Sequence, residues 1–332
     1  MTSFASPKQT PPATEDGKPK KRKKSRDWSG ATLVLMLGLS GLILAQLGHL
    51  WIAFDVASQF SVQFIFMVLA AVLSMASPRM KGLVAIIFFA LMIVGYALWP
   101  HWVSTGEVRA AAPTVAEQQL KVASFNTYAN NRDYQGIINS VLAMDADVVT
   151  LIEMENDKQG VLSALKQKYP YQFDCNTTQN CHLAMISKYP LTDVGSQALW
   201  DGPPYVRASL GPQFGGLTVF GVHTTRFPHS RAQFTQVNAL VKLVETLPGR
   251  VVMMGDFNST PFSRINQAVS DGLGFTRLTH LPTWPATIGF PQLAIDHIFV
   301  SPGIRALSEQ RIGDNAGSDH FPIFMVLAIS PP

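Results

Sequence analysis

The sequence predicts an α/β domain over residues 120–332, carried behind three membrane-spanning helices. Three observations predict it. Three uncharged apolar runs lie before residue 100. Beyond them, short apolar strand patterns alternate with two amphipathic helical patterns. Polar side chains suited to metal and phosphate chemistry recur at the strand ends.

The apolar runs are 31–50 (ATLVLMLGLSGLILAQLGHL), 60–77 and 82–99, and none contains Asp, Glu, Lys or Arg. A bilayer core about 30 Å thick needs roughly 17–25 apolar residues in a helix. Each run is therefore read as a span, within a transmembrane region at 28–102. Three buried core helices are the alternative, but so small a region has little with which to bury them. A cleaved signal peptide is another, but two further apolar runs follow the first.

Charge gives the orientation. Residues 18–26 (KPKKRKKSR) carry seven basic residues, and Arg79 and Lys81 separate the second and third runs. The connection around Asp55 has none. Positive flanks stay cytoplasmic, so the polar tail at 1–27 is read as a disordered cytoplasmic segment. Everything after residue 101 is then extracytoplasmic, which means the periplasmic side of the inner membrane in a bacterium with two membranes.

The formal net charge of +4 hides a division. Residues 1–100 hold ten Lys/Arg against four Asp/Glu, a net of +6; residues 101–332 hold sixteen against eighteen, a net of −2. The larger part thus lacks the excess positive charge of a broad duplex-binding face. The basic run, beside a span, is read as a topology and lipid-headgroup element rather than a nucleic-acid arm.

The only cysteines, Cys175 and Cys181, lie in DCNTTQNCH. Outside the cytoplasm a disulfide is expected there. Free thiols, or a metal site with His182, are the alternatives, and the spacing matches no zinc pattern.

Residues 103–119 read as a linker. The strands that follow are LKVASFN (120–126), DVVTLIE (147–153), LAMIS (183–187), LTVFGVH (217–223), RVVMMGD (250–256), AIDHIFV (294–300) and FPIFMVL (321–327). Helices are predicted from Tyr134 to Met144 and from Arg231 to Leu247, each with one apolar face at a 3.6-residue period.

Asn126, Glu153, His223, Asp256 with Asn258, and Asp296 stand at strand ends, and Asp319-His320 precede the last strand. A lone strand-end Asp or Asn is usually a turn former. The ordered set ASFN, TLIE, GVH, GDFN, AIDH and GSDH points further. It resembles the endonuclease/exonuclease/phosphatase superfamily from about Val122 to Met325. The combination of GDFN and SDH is specific, and STP after GDFN recurs in many phosphodiesterase members.

The resemblance implies a four-layer α/β/β/α sandwich of two mixed sheets and cleavage of phosphate esters with Mg²⁺, Mn²⁺ being the alternative. It makes Glu153 the main metal ligand, with Asn126 and Asp319 close by. Oxygen ligands of this kind suit a hard cation better than zinc. Asp256 and Asn258 are implied to position and deprotonate the attacking water. His320, oriented by Asp296, faces the same phosphate, and His223 donates to a nonbridging oxygen. Asp256 and His320 compete as general base.

Two features depart from the pattern. Tyr128 stands where some nucleases of the family carry a second acid, and the catalytic tyrosine of abasic-site endonucleases has no clear counterpart. Both weaken a DNA-repair reading. His297 alternates to the other strand face and is read as structural. His182 and His229 have no motif support. Arg207 and Arg226 are surface arginines by default, with phosphate contact as the alternative.

The expectation is a membrane-anchored, Mg²⁺-dependent phosphoesterase facing outward, whose partners are the bilayer, through three spans, and a phosphate ester of lipid, nucleic-acid or small-molecule type. No obligate protein partner is inferred. One alternative is an extracytoplasmic nuclease for single strands, with Trp200, Tyr205, Phe227 and Trp284 as stacking candidates. Another is a non-catalytic binding or scaffold protein, whose mark would be broken motifs.

Overall fold

The computed structural model describes residues 29–76, 117–175, 181–198 and 202–330, with isolated positions between 81 and 88. The tail at 1–27, most of the third predicted span and of the linker, and Trp200 lie outside the described residues.

Among the described residues one helix is long and apolar enough to cross a membrane, and a second span arises only if a bent helix pair is counted as one. Helix α1 (Ser29–Leu47) contains an 18-residue stretch, Gly30–Leu47, that is long and apolar enough to cross a membrane. The second run forms α3 (Ser61–Met75), whose 15 residues extend only about 22 Å. It qualifies only jointly with the short helical segment before it, Ile52–Ser58, from which it is bent by 59°. That segment contains α2 (Asp55–Ser58). Asp55 and Gln59, in the connection at this bend, hydrogen-bond to residues 260–264 of the two-sheet part of the chain (below). Helices α1 and α3 pack where α1 has no side chain: a Cβ on Gly41 would lie 2.6 Å from the Phe64 ring.

From Gln118 the chain builds two mixed sheets. The strands of the first are β1 (Gln118–Asn126), β2 (Val148–Ile152), β3 (Tyr171–Asp174), β4 (Leu183–Ser187), β11 (Ile304–Ala306), β12 (Arg311–Ile312) and β13 (Ile323–Ile329). Their order is β11-β13-β1-β2-β4-β3, with β12 also on β13. The second has β5 (Leu191–Gln197), β6 (Tyr205–Leu210), β7 (Thr218–His223), β8 (Val251–Asp256), β9 (Thr276–Arg277) and β10 (Asp296–Val300). Its order is β5-β6-β7-β8-β10-β9. The parallel pairs β1–β2 and β7–β8 need crossovers. Helices α4 (Tyr134–Met144) and α6 (Ser230–Glu245) supply them. The other two helices are α5 (Gln159–Leu165) and α7 (Arg264–Leu273).

Period-two alternation sorts the strand residues into layers. Val122, Val148, Met185, Val219, Val252, Met254 and Ile298 fill the space between the sheets. Phe125, Val149 and Leu151 point the other way, against Ile137, Val141 and Leu165 of α4 and α5. Phe220, Val222, Met253 and Phe299 pack on Val237, Leu240 and Val269 of α6 and α7. The result is the expected helix–sheet–sheet–helix sandwich.

The same alternation aims the site. Asn126 continues the inner set of β1, His223 that of β7, Asp256 that of β8 and Asp296 that of β10. In the second sheet, His223 pairs with Asp256 and Asp256 with Asp296, so three side chains stand abreast on one face. In the first, Asn126 pairs with Ile152. The strand ends of both sheets therefore deliver their polar residues to one gap.

Candidate metal and phosphate site

Glu153 is the exception to the alternation. It follows inner-facing Ile152 and would point outward if β2 continued. Instead its backbone turns into the left-handed region, at φ +57°. That conformation costs a non-glycine residue of order 1–2 kcal/mol, and it re-aims the carboxylate toward Asn126. Oε1 accepts a hydrogen bond from Asn126 Nδ2 at 3.1 Å, and Oε2 accepts one from the Ala129 amide at 2.6 Å.

Asn126 ties the two sheets together. Its Nδ2 also donates to Asp256 Oδ2 at 3.0 Å, and its Oδ1 accepts from the Tyr128 amide. Tyr128, at the expected second-acid position, thus contributes backbone rather than charge. Asp256 is buried, and its Oδ1 accepts from the Asn258 amide at 2.8 Å. Asn258 has φ +47°, a conformation asparagine tolerates. It donates from Nδ2 to Thr224 O at 3.0 Å. Gly255 is required just before Asp256, because a Cβ there would lie 1.9 Å from the Val222 carbonyl oxygen.

Two histidines face Asp256. His223 Nε2 lies 3.7 Å from Asp256 Oδ2 and 3.8 Å from Glu153 Oε1. His320 Nε2 lies 3.7 Å from the same Asp256 oxygen. Its Nδ1 donates to Asp296 Oδ2 at 2.8 Å, and Thr283 Oγ1 donates to that oxygen at 2.6 Å. This fixes the tautomer and leaves Nε2 directed at the gap. Asp319 sits at the rim, where its Oδ2 accepts from the Trp284 indole N–H at 3.2 Å.

Electrostatics divides the roles. Burial raises Asp256 to about 6, against the opposing charge of His320 and with Asp296 adding to the rise. Burial would lower His320, but Asp296 and Asp256 outweigh it and push it up to about 10. Burial also works against the Glu153 carboxylate. The charge of His223 and the hydrogen bonds from Asn126 and Ala129 nonetheless hold it below its ordinary value.

Ligand atoms of Glu153, His223 and Asp256 lie within 4.8 Å of one another, and so do those of Asp256, Asp296 and His320. The first group, with two carboxylates beside the Asn126 amide, fits a hard divalent cation. Asp319 belongs to neither group.

Two residues were not anticipated. Lys158 is fully buried, and its Nζ donates to Tyr128 O at 2.6 Å, Glu153 O at 2.7 Å and Thr127 Oγ1 at 3.1 Å. Burial lowers it to about 8 despite Glu153, Asp157 and Glu155 nearby. Gln233 on α6 donates to Phe257 O at 2.8 Å and Asn258 O at 3.2 Å, holding the GDFN turn from behind. A glutamine on the buried face of an apolar helix was the available signal; Lys158 has no sequence signature.

The remaining candidates fall outside the gap. His297 is fully buried and structural, with Nε2 donating to Ser259 O. Arg207 pairs with exposed Asp193 at 3.2 Å, and His182 with Glu155 at 3.2 Å. Arg226 is exposed. Tyr205 is buried against Phe220. Cys175 and Cys181 form the expected disulfide.

Residues 123–320, which hold every one of these groups, match the family model of the endonuclease/exonuclease/phosphatase family. The chain belongs to this family. Solved structures show the same fold. A humanized TDP2 from D. rerio aligns at TM-score 0.54 and 15% identity, covering 63% of this chain and 98% of that one. An endonuclease/exonuclease/phosphatase from Bacteroides vulgatus aligns at 0.54 and 19%, covering 64% and 100%. A beta toxin mutant from Staphylococcus aureus, with bound magnesium ions, aligns at 0.50 and 19%, also covering 64% and 100%. No curated protein matches the sequence. The family's members are phosphodiesterase- and nuclease-type hydrolases that act on phosphate esters.

Proposed function

We propose that the chain is a membrane-anchored, Mg²⁺-dependent phosphodiesterase whose catalytic domain faces the extracytoplasmic side. The convergence of Asn126, Glu153, His223, Asp256, Asn258, Asp296 and His320 on one gap carries the reading.

A bound divalent cation would be held by Glu153 with Asn126 beside it, offsetting the negative charge that grows on a phosphate under attack. Asp319 stays a rim candidate for the same ion. Asp256, raised to about 6, is the better general base, because a base works best with a pKa near the working pH. It would take the proton of a water held by Asn258, and the hydroxide so formed would attack phosphorus in line, breaking the opposite P–O bond and expelling the leaving oxygen as the alcohol once it is protonated. His320, held protonated by Asp296, would donate from Nε2 to a nonbridging oxygen, and His223 would do so from the Glu153 side. Magnesium in the beta toxin structure supports the choice of metal.

The anchor reading rests on α1, whose Leu33, Met36, Leu37 and Ile43 are exposed as lipid-facing side chains would be. The basic run at 18–26 favours a cytoplasmic N-terminus. The Cys175–Cys181 disulfide favours an oxidising compartment for the domain. Phe227 and Trp284, the stacking candidates for a single-strand nuclease, contact one another at 6.4 Å between ring centroids, which supports packing over base stacking.

A panel of bis-p-nitrophenyl phosphate, single-stranded DNA, RNA and sphingomyelin, with and without Mg²⁺, tests the proposal. Metal-dependent cleavage of at least one diester is expected. Cleavage of none, or cleavage insensitive to EDTA, would contradict it.

A further inference from the structure

The connection between α1 and α3 reaches into the catalytic part of the chain. Asp55 is fully buried, and its carboxylate meets the start of α7. Oδ2 accepts from Ser263 Oγ at 2.5 Å, and Oδ1 accepts from the Arg264 backbone amide at 2.9 Å. Gln59, also buried, accepts from the Thr260 amide through Oε1 at 2.6 Å.

These donors belong to the segment that carries Asp256 and Asn258 into α7. Ser263 is the N-cap of that helix, its Oγ accepting from the Ile265 amide. A helix N-terminus presents amides that its own hydrogen bonds leave free, and a carboxylate there is favoured. Here the carboxylate comes from more than two hundred residues away, out of the apolar region.

The same connection touches the opposite rim. Phe60, the N-cap of α3, packs edge-on against Phe227 at 5.6 Å between ring centroids. Phe227 packs edge-on against Trp284 at 6.4 Å, and the Trp284 indole donates to Asp319. Residues 55–60 therefore grip the loop after Asn258 directly, and the Asp319 rim through two rings. A mere tether would leave such a connection solvated. Burying a carboxylate is costly unless its hydrogen bonds are made, and this one accepts from Ser263 and Arg264.

We propose that Asp55 is a positioning residue for hydrolysis, so that the apolar N-terminal region completes the active site rather than only anchoring it. The inference rests on the phosphodiesterase reading. Without Asp55, the first turn of α7 and the segment from Ser259 to Ser263 lose their outer support, and Asn258 loses its fixed place behind Asp256. A displacement of about 1 Å in such a loop can cost on the order of 100-fold in rate.

The test uses the full chain in detergent micelles, with soluble bis-p-nitrophenyl phosphate and Mg²⁺, and separates kcat from KM. Asp55→Ala is expected to lower kcat by about 10- to 100-fold with KM little changed. Asp55→Asn is expected to recover most of it, since its carbonyl can accept from Arg264 and its amide can donate to Ser263. Gln59→Leu, which removes only one acceptor, gives a smaller loss in the same direction and serves if Asp55→Ala does not fold. Parental kcat in both Asp55→Ala and Gln59→Leu overturns the proposal. A parent chain that cleaves no diester sinks the functional reading alone. The clasp is then read from amide exchange at Thr260 and Arg264, which accelerates in Asp55→Ala if Asp55 positions the segment and is unchanged if it does not.

Discussion

Nδ1 of His320 donates to Asp296 across 2.8 Å, and both side chains are buried. The other Asp296 oxygen, Oδ1, has no partner among the described residues. The carboxylate is therefore committed to the imidazole and to Thr283. This pairing leaves Nε2 as the His320 nitrogen that faces Asp256.

Replacing either member should abolish turnover while sparing the fold. General acid–base groups contribute roughly 10²- to 10⁴-fold, so His320→Ala and Asp296→Asn should each lose kcat within that range. The double variant should lose little more than the worse single one, because the two act as a unit. Steady-state kinetics with circular dichroism checks this; fully additive losses would show that they act separately.

Metal binding should couple to pH through Asp256. Burial raises this carboxyl to about 6 in the folded chain. The unfolded chain releases the proton near pH 4. The stability this group contributes is thus full below pH 4 and is lost as pH rises through about 6. A cation favours the ionised form, so Mg²⁺ should raise Tm more at pH 7 than at pH 5. Thermal melts with Mg²⁺ and with EDTA decide this, and equal rises at both pH values would count against the cation lying beside Asp256.

Lys158→Met should reduce both stability and metal affinity. It strips the carbonyls of Tyr128 and Glu153 of a buried donor, at about 1–3 kcal/mol. It also loosens the left-handed turn that aims Glu153. Urea unfolding should show the loss, and the Mg²⁺ concentration giving half-maximal rate should rise. An unchanged Mg²⁺ requirement would mean that Glu153 is held by other contacts.

Orientation can be read directly. A reporter enzyme active only outside the cytoplasm should be active when fused after residue 110. A silent fusion would reverse the topology and remove the argument from the disulfide.

Much of the site was legible because the strands obey a period of two. Asn126, His223, Asp256 and Asp296 lie on the inner faces that their neighbours Val122, Val219, Val252 and Ile298 announce. Helix α4 has its predicted bounds, with Ile137, Val141 and Met144 buried at helical spacing and Asp133 capping the start, whereas Leu142, predicted on the same face, is exposed. Six strands were not predicted: β3, β6 and β11, of which β6 and β11 do alternate, and three that show no such pattern. β5 reads LTDVGSQ and is largely exposed at a sheet edge, and β9 and β12 have two residues each. The second predicted span is reproduced only as a bent pair: uncharged composition shows neither the 59° bend nor that Asp55 and Gln59 would be held by residues 260–264.

The central claim is that Glu153, with Asn126 beside it, holds a hard cation facing Asp256 and His320. Crystals of the full chain soaked in Mn²⁺, measured for anomalous scattering, test it most directly. A peak about 2.1 Å from a Glu153 carboxylate oxygen is predicted, the distance expected of a small octahedral cation. An active protein that binds Mn²⁺ elsewhere, with no peak in this gap, would contradict it.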